Sequence, residues 1–155
     1  MMVTEFHQVI VLSADKSQQE VWDLQAGEEC RLDLVSPHGA RWSAMGGDLF
    51  EALENVRLQI EPLGYLLLCN GARVDAHPSG MSRDMSGGRT LYLLEKKGVA
   101  RKHVFIFDHA DPTVVGTVAE QREFYEAWLR IPRRYRLTDR ARAAALELWS
   151  RWRDR

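Results

Sequence analysis

The clearest pattern in the chain is a stripe of apolar residues with helical spacing. Five apolar side chains follow one another at intervals of 4, 3, 4 and 3 residues, which places them on one face of an α-helix. They are Leu49, Leu53, Val56, Ile60 and Leu63. Asp48, followed three residues later by Glu51, has the form of a capping box, and Gly64 suits a helix end. The pattern predicts an amphipathic helix that covers a sheet.

Strand patterns lie on both sides of this helix. Alternating apolar and polar residues predict a half-buried strand over 30–35, and short apolar runs predict strands over 6–12, 41–45 and 65–69. Two further runs, 91–94 and 103–107, are joined through the turn-like sequence Glu-Lys-Lys-Gly and predict a hairpin. We expect these strands to form one mostly antiparallel sheet.

The C-terminal third has the pattern of helices. Thr117 and Glu120 form a second capping box, and Pro132 ends the helix that follows. Thr138 is suited to cap another helix, whose inner stripe contains Ala141, Ala145, Leu148 and Trp152. The predicted fold class is therefore α+β, a mostly antiparallel sheet covered by one helix, with two C-terminal helices. We expect residues 1–155 to form a single α+β domain of this kind.

The composition is that of a globular protein. Of the 155 residues, 45% are hydrophobic and 28% are charged, and no apolar run approaches the roughly 20 residues that cross a bilayer. The N-terminus has no basic leader, and both Cys30 and Cys69 lie in strand-like runs that suit buried thiols. These features predict a cytoplasmic protein that does not enter a membrane.

The two halves of the chain carry opposite charge. Residues 1–78 contain 5 Lys/Arg and 12 Asp/Glu, a balance of -7, and residues 79–155 contain 16 and 10, a balance of +6. If the halves are separated in space, the molecule has an acidic and a basic face that can steer a charged partner. A solvated surface of mixed sign is the alternative, and the sequence leaves both open.

The segment 70–92 carries most of the candidate chemistry. It places three arginines, two aspartates, a histidine and three serines between two apolar runs, and loops of this length are uncommon unless they have a function. If 70–77 is a strand, Arg73, Asp75 and His77 share one face, where they could bind an anion and supply an acid–base pair. An edge strand with a local Arg73–Asp75 pair is the simpler alternative.

An enzyme, or an anion- or nucleotide-binding protein, would need more of this segment to converge. The residues that would have to line such a pocket are Arg73, Asp75, His77, Arg83, Asp84 and Arg89. No nucleophile elbow, P-loop or dinucleotide fingerprint is present, so we assign no catalytic residue and no cofactor. The sequence Asp108-His109-Ala110-Asp111 matches no compact metal motif, so no metal site is predicted either.

Arginines and aromatic residues alternate over 130–153, a combination that can bind phosphates and stack on bases. No nucleic-acid-binding motif is present, however, and the isoelectric point near 6.5 argues against a dedicated nucleic-acid binder.

The sequence Asn-Gly-Ala-Arg-Val-Asp at 70–75, with Pro-Ser-Gly-Met at 78–81 and Gly87-Gly88, resembles a pattern in small uncharacterised bacterial proteins. Some of these are similar to immunity proteins of polymorphic-toxin and contact-dependent growth-inhibition systems. The resemblance implies a cytoplasmic protein that binds one toxin domain and blocks it. It implies no catalytic residues.

The acidic N-terminal half offers a surface for such a partner. Its carboxylates could imitate nucleic acid towards a basic nuclease toxin, and an aromatic residue among them could anchor the complex. The residues predicted to bind the partner are Trp22, Asp23, Glu28, Glu29 and Asp33. The sequence leaves the oligomeric state open.

Overall fold

The computed structural model of the protein describes residues 3–13, 15–96 and 98–132. Its strands are β1 (Glu5–Ser13), β2 (Gln19–Ala26), β3 (Arg31–Val35), β4 (Arg41–Met45), β5 (Tyr65–Leu67), β6 (Ala76–His77), β7 (Thr90–Leu93) and β8 (His103–Phe105). Its helices are α1 (Leu49–Ile60), α2 (Gly80–Ser86) and α3 (Val118–Leu129). The predicted α+β class is confirmed.

The larger sheet has five strands in the order β4-β3-β2-β1-β5, and all neighbours are antiparallel. Strand β2 was not predicted from the sequence, although Trp22, Leu24 and Ala26 alternate with polar residues and are all buried. Four acidic residues lie in or just after this strand: Glu20, Asp23, Glu28 and Glu29. With β2 in place, each of β1 to β3 has one buried side and one side that carries polar residues.

Helix α1 packs against the larger sheet, mainly at β3 and β4. Asp48 caps the helix, because its Oδ1 accepts a hydrogen bond of 2.8 Å from the Glu51 amide. The first four residues of the stripe are buried in the core, but Leu63 is 59% exposed. The helix tightens after Ile60 into a 3₁₀ turn that contains Pro62, and this turn carries Leu63 away from the stripe.

The remaining strands form a separate sheet in the order β6-β7-β8. The predicted hairpin is confirmed, since β7 and β8 are antiparallel. The prediction of one continuous sheet is wrong, because the chain after β5 turns away and returns as β6, which pairs with β7. Two isolated bridges, Cys69–His109 and Arg73–Val115, pair the connection between β5 and β6 with the connection between β8 and α3.

A buried guanidinium connects the two halves of the described structure. Arg57 on α1 is 1% exposed, and it donates hydrogen bonds to the carbonyls of Gly71 (3.1 Å) and Gly116 (2.9 Å) and to Oε1 of Gln121 on α3 (2.6 Å). The Glu61 carboxylate lies 3.3 Å from its Nε. We call Arg57, Glu61, Gln121 and the carbonyls they contact the Arg57–Gln121 clasp.

Gln121 completes the clasp from the other side. Its Nε2 donates to the carbonyls of Gly71 (3.0 Å), Arg73 (2.7 Å) and Ala76 (3.2 Å). These carbonyls belong to the segment between β5 and α2, so α1, α3 and that segment share one hydrogen-bond network. Among the described residues, no buried side-chain nitrogen or oxygen lacks a hydrogen-bond partner.

Helix α3 begins at the predicted capping box. The Thr117 hydroxyl accepts from the Glu120 amide (3.2 Å), and the Glu120 carboxylate accepts from the Thr117 amide (2.7 Å). The second predicted C-terminal helix, with Thr138 as its cap, lies outside the described residues. None of the described helices is long and apolar enough to cross a membrane.

Candidate functional site

The segment 70–92 is folded rather than a long polar loop. It contains a 3₁₀ turn over Asn70–Ala72, strand β6 and helix α2. Ser79 caps α2 by accepting from the Ser82 amide (3.0 Å), and Gly87 ends it with a φ of 62°. Its carbonyls at Gly71, Arg73 and Ala76 accept hydrogen bonds from Arg57 or Gln121, which are distant in sequence.

Arg73 and Asp75 form a local ion pair, and neither belongs to the short strand that contains His77. The guanidinium donates to both carboxylate oxygens, over 2.7 and 2.8 Å. The structure therefore matches the simpler alternative, a local Arg73–Asp75 pair, although only Ala76–His77 of this stretch is a strand. The hydrogen bonds with Asp75 raise the pKa of Arg73 above its usual value.

The other two arginines of the segment also have carboxylate partners, each on a different element. Arg83 is paired with Asp48, the cap of α1, and Arg89 donates to Glu5 on β1 over 3.1 and 2.5 Å. The hydrogen bonds from Arg89 lower the pKa of Glu5. Asp84 is exposed and has no ion pair with another described residue. The three arginines thus lie in separate ion pairs, each with a carboxylate of its own, and His77 and Asp84 belong to none of these pairs.

His77 lies beside an apolar groove of about 450 Å³. Its ring stacks on Tyr125 at 3.5 Å and meets the edge of Phe50 at 5.3 Å, and its Nδ1 lies 2.8 Å from the Pro78 carbonyl oxygen. Burial lowers the pKa of His77, and the nearby Arg83 lowers it further. Without a carboxylate hydrogen-bonded to it, this histidine has the surroundings of a packing residue.

The described residues contain no complete nucleophilic or metal-binding constellation. Burial raises the pKa of the free thiol of Cys69 to about 11, so this group stays protonated near neutral pH. No group of three His, Cys, Asp or Glu side chains in the described ranges could hold a metal ion. In particular, Asp108, His109 and Asp111 do not form such a group.

Trp22 is a core residue and cannot anchor a partner at the surface. It is 2% exposed, its ring stacks on Trp42 at 5.0 Å, and its edge contact with Tyr65 is also at 5.0 Å. Its Nε1 donates to Glu20 over 2.9 Å. The prediction of an exposed aromatic anchor is corrected for a simple reason: Trp22 lies on the buried side of β2.

The four predicted acidic residues differ in availability. Asp23 is exposed on β2, and Glu28 and Glu29 are exposed in the turn between β2 and β3. Asp33 is already engaged, since it accepts hydrogen bonds from Ser43 and Arg31. Burial alone would raise the pKa of Asp33, but these hydrogen bonds outweigh it and the pKa is lowered.

The turn that presents Glu28 and Glu29 has an unusual backbone. Glu29 and the following Cys30 have φ angles of 54° and 55°, in the left-handed region that residues other than glycine rarely adopt. The turn lies between two paired strands, and Glu28 and Glu29 are both exposed in it.

A further exposed surface was missed in the sequence. The side of the larger sheet opposite α1 carries Phe6, Val21 and Met45, which are 71%, 53% and 51% exposed. Between them lie polar side chains, of which Asp23 and Gln25 are on β2. We call this surface, from β1 to β4, the outer sheet face. The alternation of apolar and polar residues along each strand indicates such a face. The face is continuous only because β2 lies between β1 and β3.

The chain has no recognised relatives in two comparisons. No protein-family model matches it, and no curated protein matches it significantly. The resemblance of the segment 70–92 to immunity proteins therefore stays a prediction.

Proposed function

We propose that this protein is a non-catalytic binding protein that neutralises a bacterial toxin domain by binding it directly. The proposal depends mainly on the exposure of three acidic residues and on their lack of ion pairs in the described structure. Asp23, Glu28 and Glu29 are exposed and have no ion pair with another described residue, whereas the arginines of the segment 70–92 are all paired. The N-terminal sheet and the turn after β2 therefore present carboxylates that have no ion-pair partner among the described residues.

The charge of this region favours a basic partner. Residues 15–33 contain six Asp/Glu and two Lys/Arg, a balance of -4. Unpaired charges of one sign create a field that attracts the opposite sign and raises the rate of association. A nuclease domain fits this requirement, because a protein that binds nucleic acid presents cationic groups to it. In this proposal the protein acts as an immunity protein in the cytoplasm.

The test is co-expression of the tagged chain with the products of its neighbouring genes, scored by complex formation and by growth rescue. We expect a stoichiometric complex that relieves toxicity, and we expect Glu28→Lys with Glu29→Lys to weaken it. The matched control is Glu123→Lys with Glu126→Lys, the same change in charge at two exposed positions of α3. Equal effects of the two pairs would show that the turn has no special role, and absence of a complex would refute the proposal.

A second candidate function is the binding of a small planar ligand in the groove beside His77. The stacked His77–Tyr125 pair and the volume of about 450 Å³ favour it, since ligand pockets are typically apolar and about 300–1,000 Å³ in volume. A thermal-shift screen with nucleotides, phosphate and divalent metals distinguishes it from the first proposal. A specific ligand that raises Tm, with no rise in the Tyr125→Ala variant, supports a ligand site.

A further inference from the structure

The groove beside His77 has no Asp, Glu, Lys or Arg among its described lining residues. Tyr92 on β7 lies on the same side of its sheet as His77, because the two are cross-strand partners. Leu129 of α3 and Met81 of α2 also line the groove. A charged ligand would lose part of its hydration there without gaining a counter-charge. The groove therefore suits an uncharged ligand.

Three rings at the groove have nearly parallel planes. The His77 and Tyr125 rings are 3.5 Å apart with 4° between their planes, and Tyr125 and Trp128 are 6.4 Å apart with 16° between theirs. The indole of Trp128 is held by a hydrogen bond from its Nε1 to the Glu95 carbonyl over 2.9 Å. Aromatic pairs pack in offset-stacked or edge contacts with centroids about 4.5–7 Å apart. These rings therefore favour a flat ligand.

One nitrogen of His77 is an unused hydrogen-bond acceptor. Its Nδ1 lies 2.8 Å from the Pro78 carbonyl oxygen, and since a carbonyl oxygen only accepts, the ring proton is on Nδ1. The lowered pKa of His77 keeps the ring neutral near pH 7, so Nε2 carries a lone pair. Nε2 has no hydrogen-bond partner in the described structure, where no fully buried side-chain nitrogen lacks one. Nε2 is therefore not fully buried, and a donor in the groove can reach it.

We infer that the groove binds an uncharged planar heteroaromatic ring whose N–H donates a hydrogen bond to Nε2 of His77. This inference rests on the second candidate function above and adds the ligand class and its polar contact. The ring would pack against Tyr92 and Tyr125, and the hydrogen bond would fix its orientation, as a few polar groups do in mainly apolar ligand pockets.

Indole and N-methylindole are the probes that separate packing from the hydrogen bond, because only indole has the N–H. Each is titrated into the isotope-labelled full-length chain and followed by NMR. We expect indole to bind about three- to tenfold more tightly, the range that one hydrogen bond contributes. Indoleacetate and tryptamine, which add a negative or a positive charge, should bind no more tightly than indole.

Two variants separate the same contributions in the protein. His77→Phe keeps the ring packing but has no acceptor, so it should weaken indole binding to the level of N-methylindole. N-methylindole itself should change by less than about twofold in this variant, which also shows that the groove is folded. Tyr125→Leu should weaken both probes by a similar factor. The matched control is His38→Phe, at an exposed position in the turn between β3 and β4, which should retain the preference for indole.

The pH dependence tests the acceptor without any variant. Protonation of His77 places a proton on Nε2, so the affinity for indole should fall towards that for N-methylindole as the pH is lowered from 7.5 to 5. Neither probe titrates in this range. The charged groups that act on the ring are Arg83, which opposes protonation, and its ion-pair partner Asp48. Tyr92 and Tyr125 contact it without formal charge.

Equal binding of the two probes at pH 7.5 would overturn the inference and leave the groove as a site for planar ligands. A preference for indole that persists in His77→Phe, or tighter binding of indoleacetate or tryptamine, would also overturn it. A dimer in sedimentation experiments that is lost in Tyr125→Leu would show that a second copy occupies the groove, with the same consequence. If neither probe binds, the second candidate function is overturned together with the inference.

Discussion

The interior and the outer sheet face of this molecule hold charged groups in opposite surroundings. Arg57 is buried, and its guanidinium contacts two carbonyls, an amide oxygen and the Glu61 carboxylate. Asp23 is exposed and receives one hydrogen bond of 3.4 Å. A buried charge persists only if nearly all of its hydrogen bonds are made, whereas an exposed charge with free acceptors remains available to another molecule. The comparison thus separates charge that holds the fold from charge that can bind a partner.

Arg57→Met should give the largest effect, because it removes the donors of the clasp and leaves Glu61 without its buried partner. Breaking a buried ion pair by removing one member typically costs about 3–5 kcal/mol. We expect a loss of that order in the free energy of unfolding, measured by urea denaturation. Arg57→Lys keeps the charge but not the planar set of guanidinium donors, so its loss of stability should be smaller than that of Arg57→Met. A loss below about 1 kcal/mol would show that the clasp is not structural.

Gln121→Leu should have the next largest effect. It keeps the approximate volume but leaves the carbonyls of Arg73 and Ala76 without their Nε2 donor. Each buried acceptor left unsatisfied costs about 1–3 kcal/mol, so we expect a loss of about 2–3 kcal/mol in urea denaturation. Glu123→Gln, at an exposed position of the same helix, is the control and should change the stability by less than about 0.5 kcal/mol. Similar losses in both would contradict the role of Gln121.

His77 should make the stability depend on pH. Its pKa in the folded protein is lowered from the ordinary 6.5, mainly by burial, so the unfolded chain takes up the proton first as pH falls. The stability is then greatest above about pH 6.5 and decreases below it. We expect a lower urea midpoint at pH 5.5 than at pH 7.5.

The variant His77→Phe isolates this contribution. Phenylalanine preserves the ring contacts with Tyr125 and Phe50 but carries no titratable group. The raised pKa of Glu61, caused mainly by burial, acts in the opposite direction as pH falls, but it is present in both proteins and cancels in the difference. If the two proteins lose stability equally between pH 7.5 and 5.5, His77 is not the source.

The smallest effect on stability should come from neutralising the exposed acids. The triple change Asp23→Asn, Glu28→Gln and Glu29→Gln removes no ion pair of the described structure. We expect the free energy of unfolding to change by less than about 0.5 kcal/mol per site, as is usual at surfaces, while affinity for the proposed partner falls. A large loss of stability would contradict the view that the exposed acids, unlike the buried Arg57, have no structural role.

The sequence predicted those parts of the fold whose signals are local. The caps at Asp48 and Thr117 involve residues three positions apart, and both are present. The hairpin of β7 and β8 and the strand over 41–45 are also as expected. In each case, the residues that determine the structure are close together in the chain.

The parts that the sequence did not predict depend on contacts between distant residues. Arg57 meets Gly71, Gly116 and Gln121, which are 14, 59 and 64 positions further along. No local pattern marks such a set, and the division into two sheets depends on the same long-range folding. Of the residues predicted to bind a partner, Asp23, Glu28 and Glu29 are exposed, whereas Trp22 is buried because its place on β2 decides its side of the sheet.

The clasp also has a consequence for the order in which the chain can acquire its structure during synthesis. Helix α1 and the strands around it leave the ribosome first, and they bring Arg57 to a place where it needs acceptors. The last of these acceptors, on Gln121, follows 64 residues later. A nascent chain that ends before this residue would have to keep its guanidinium in water or leave it unsatisfied. We therefore expect the N-terminal sheet to become resistant to proteolysis only after α3 has emerged.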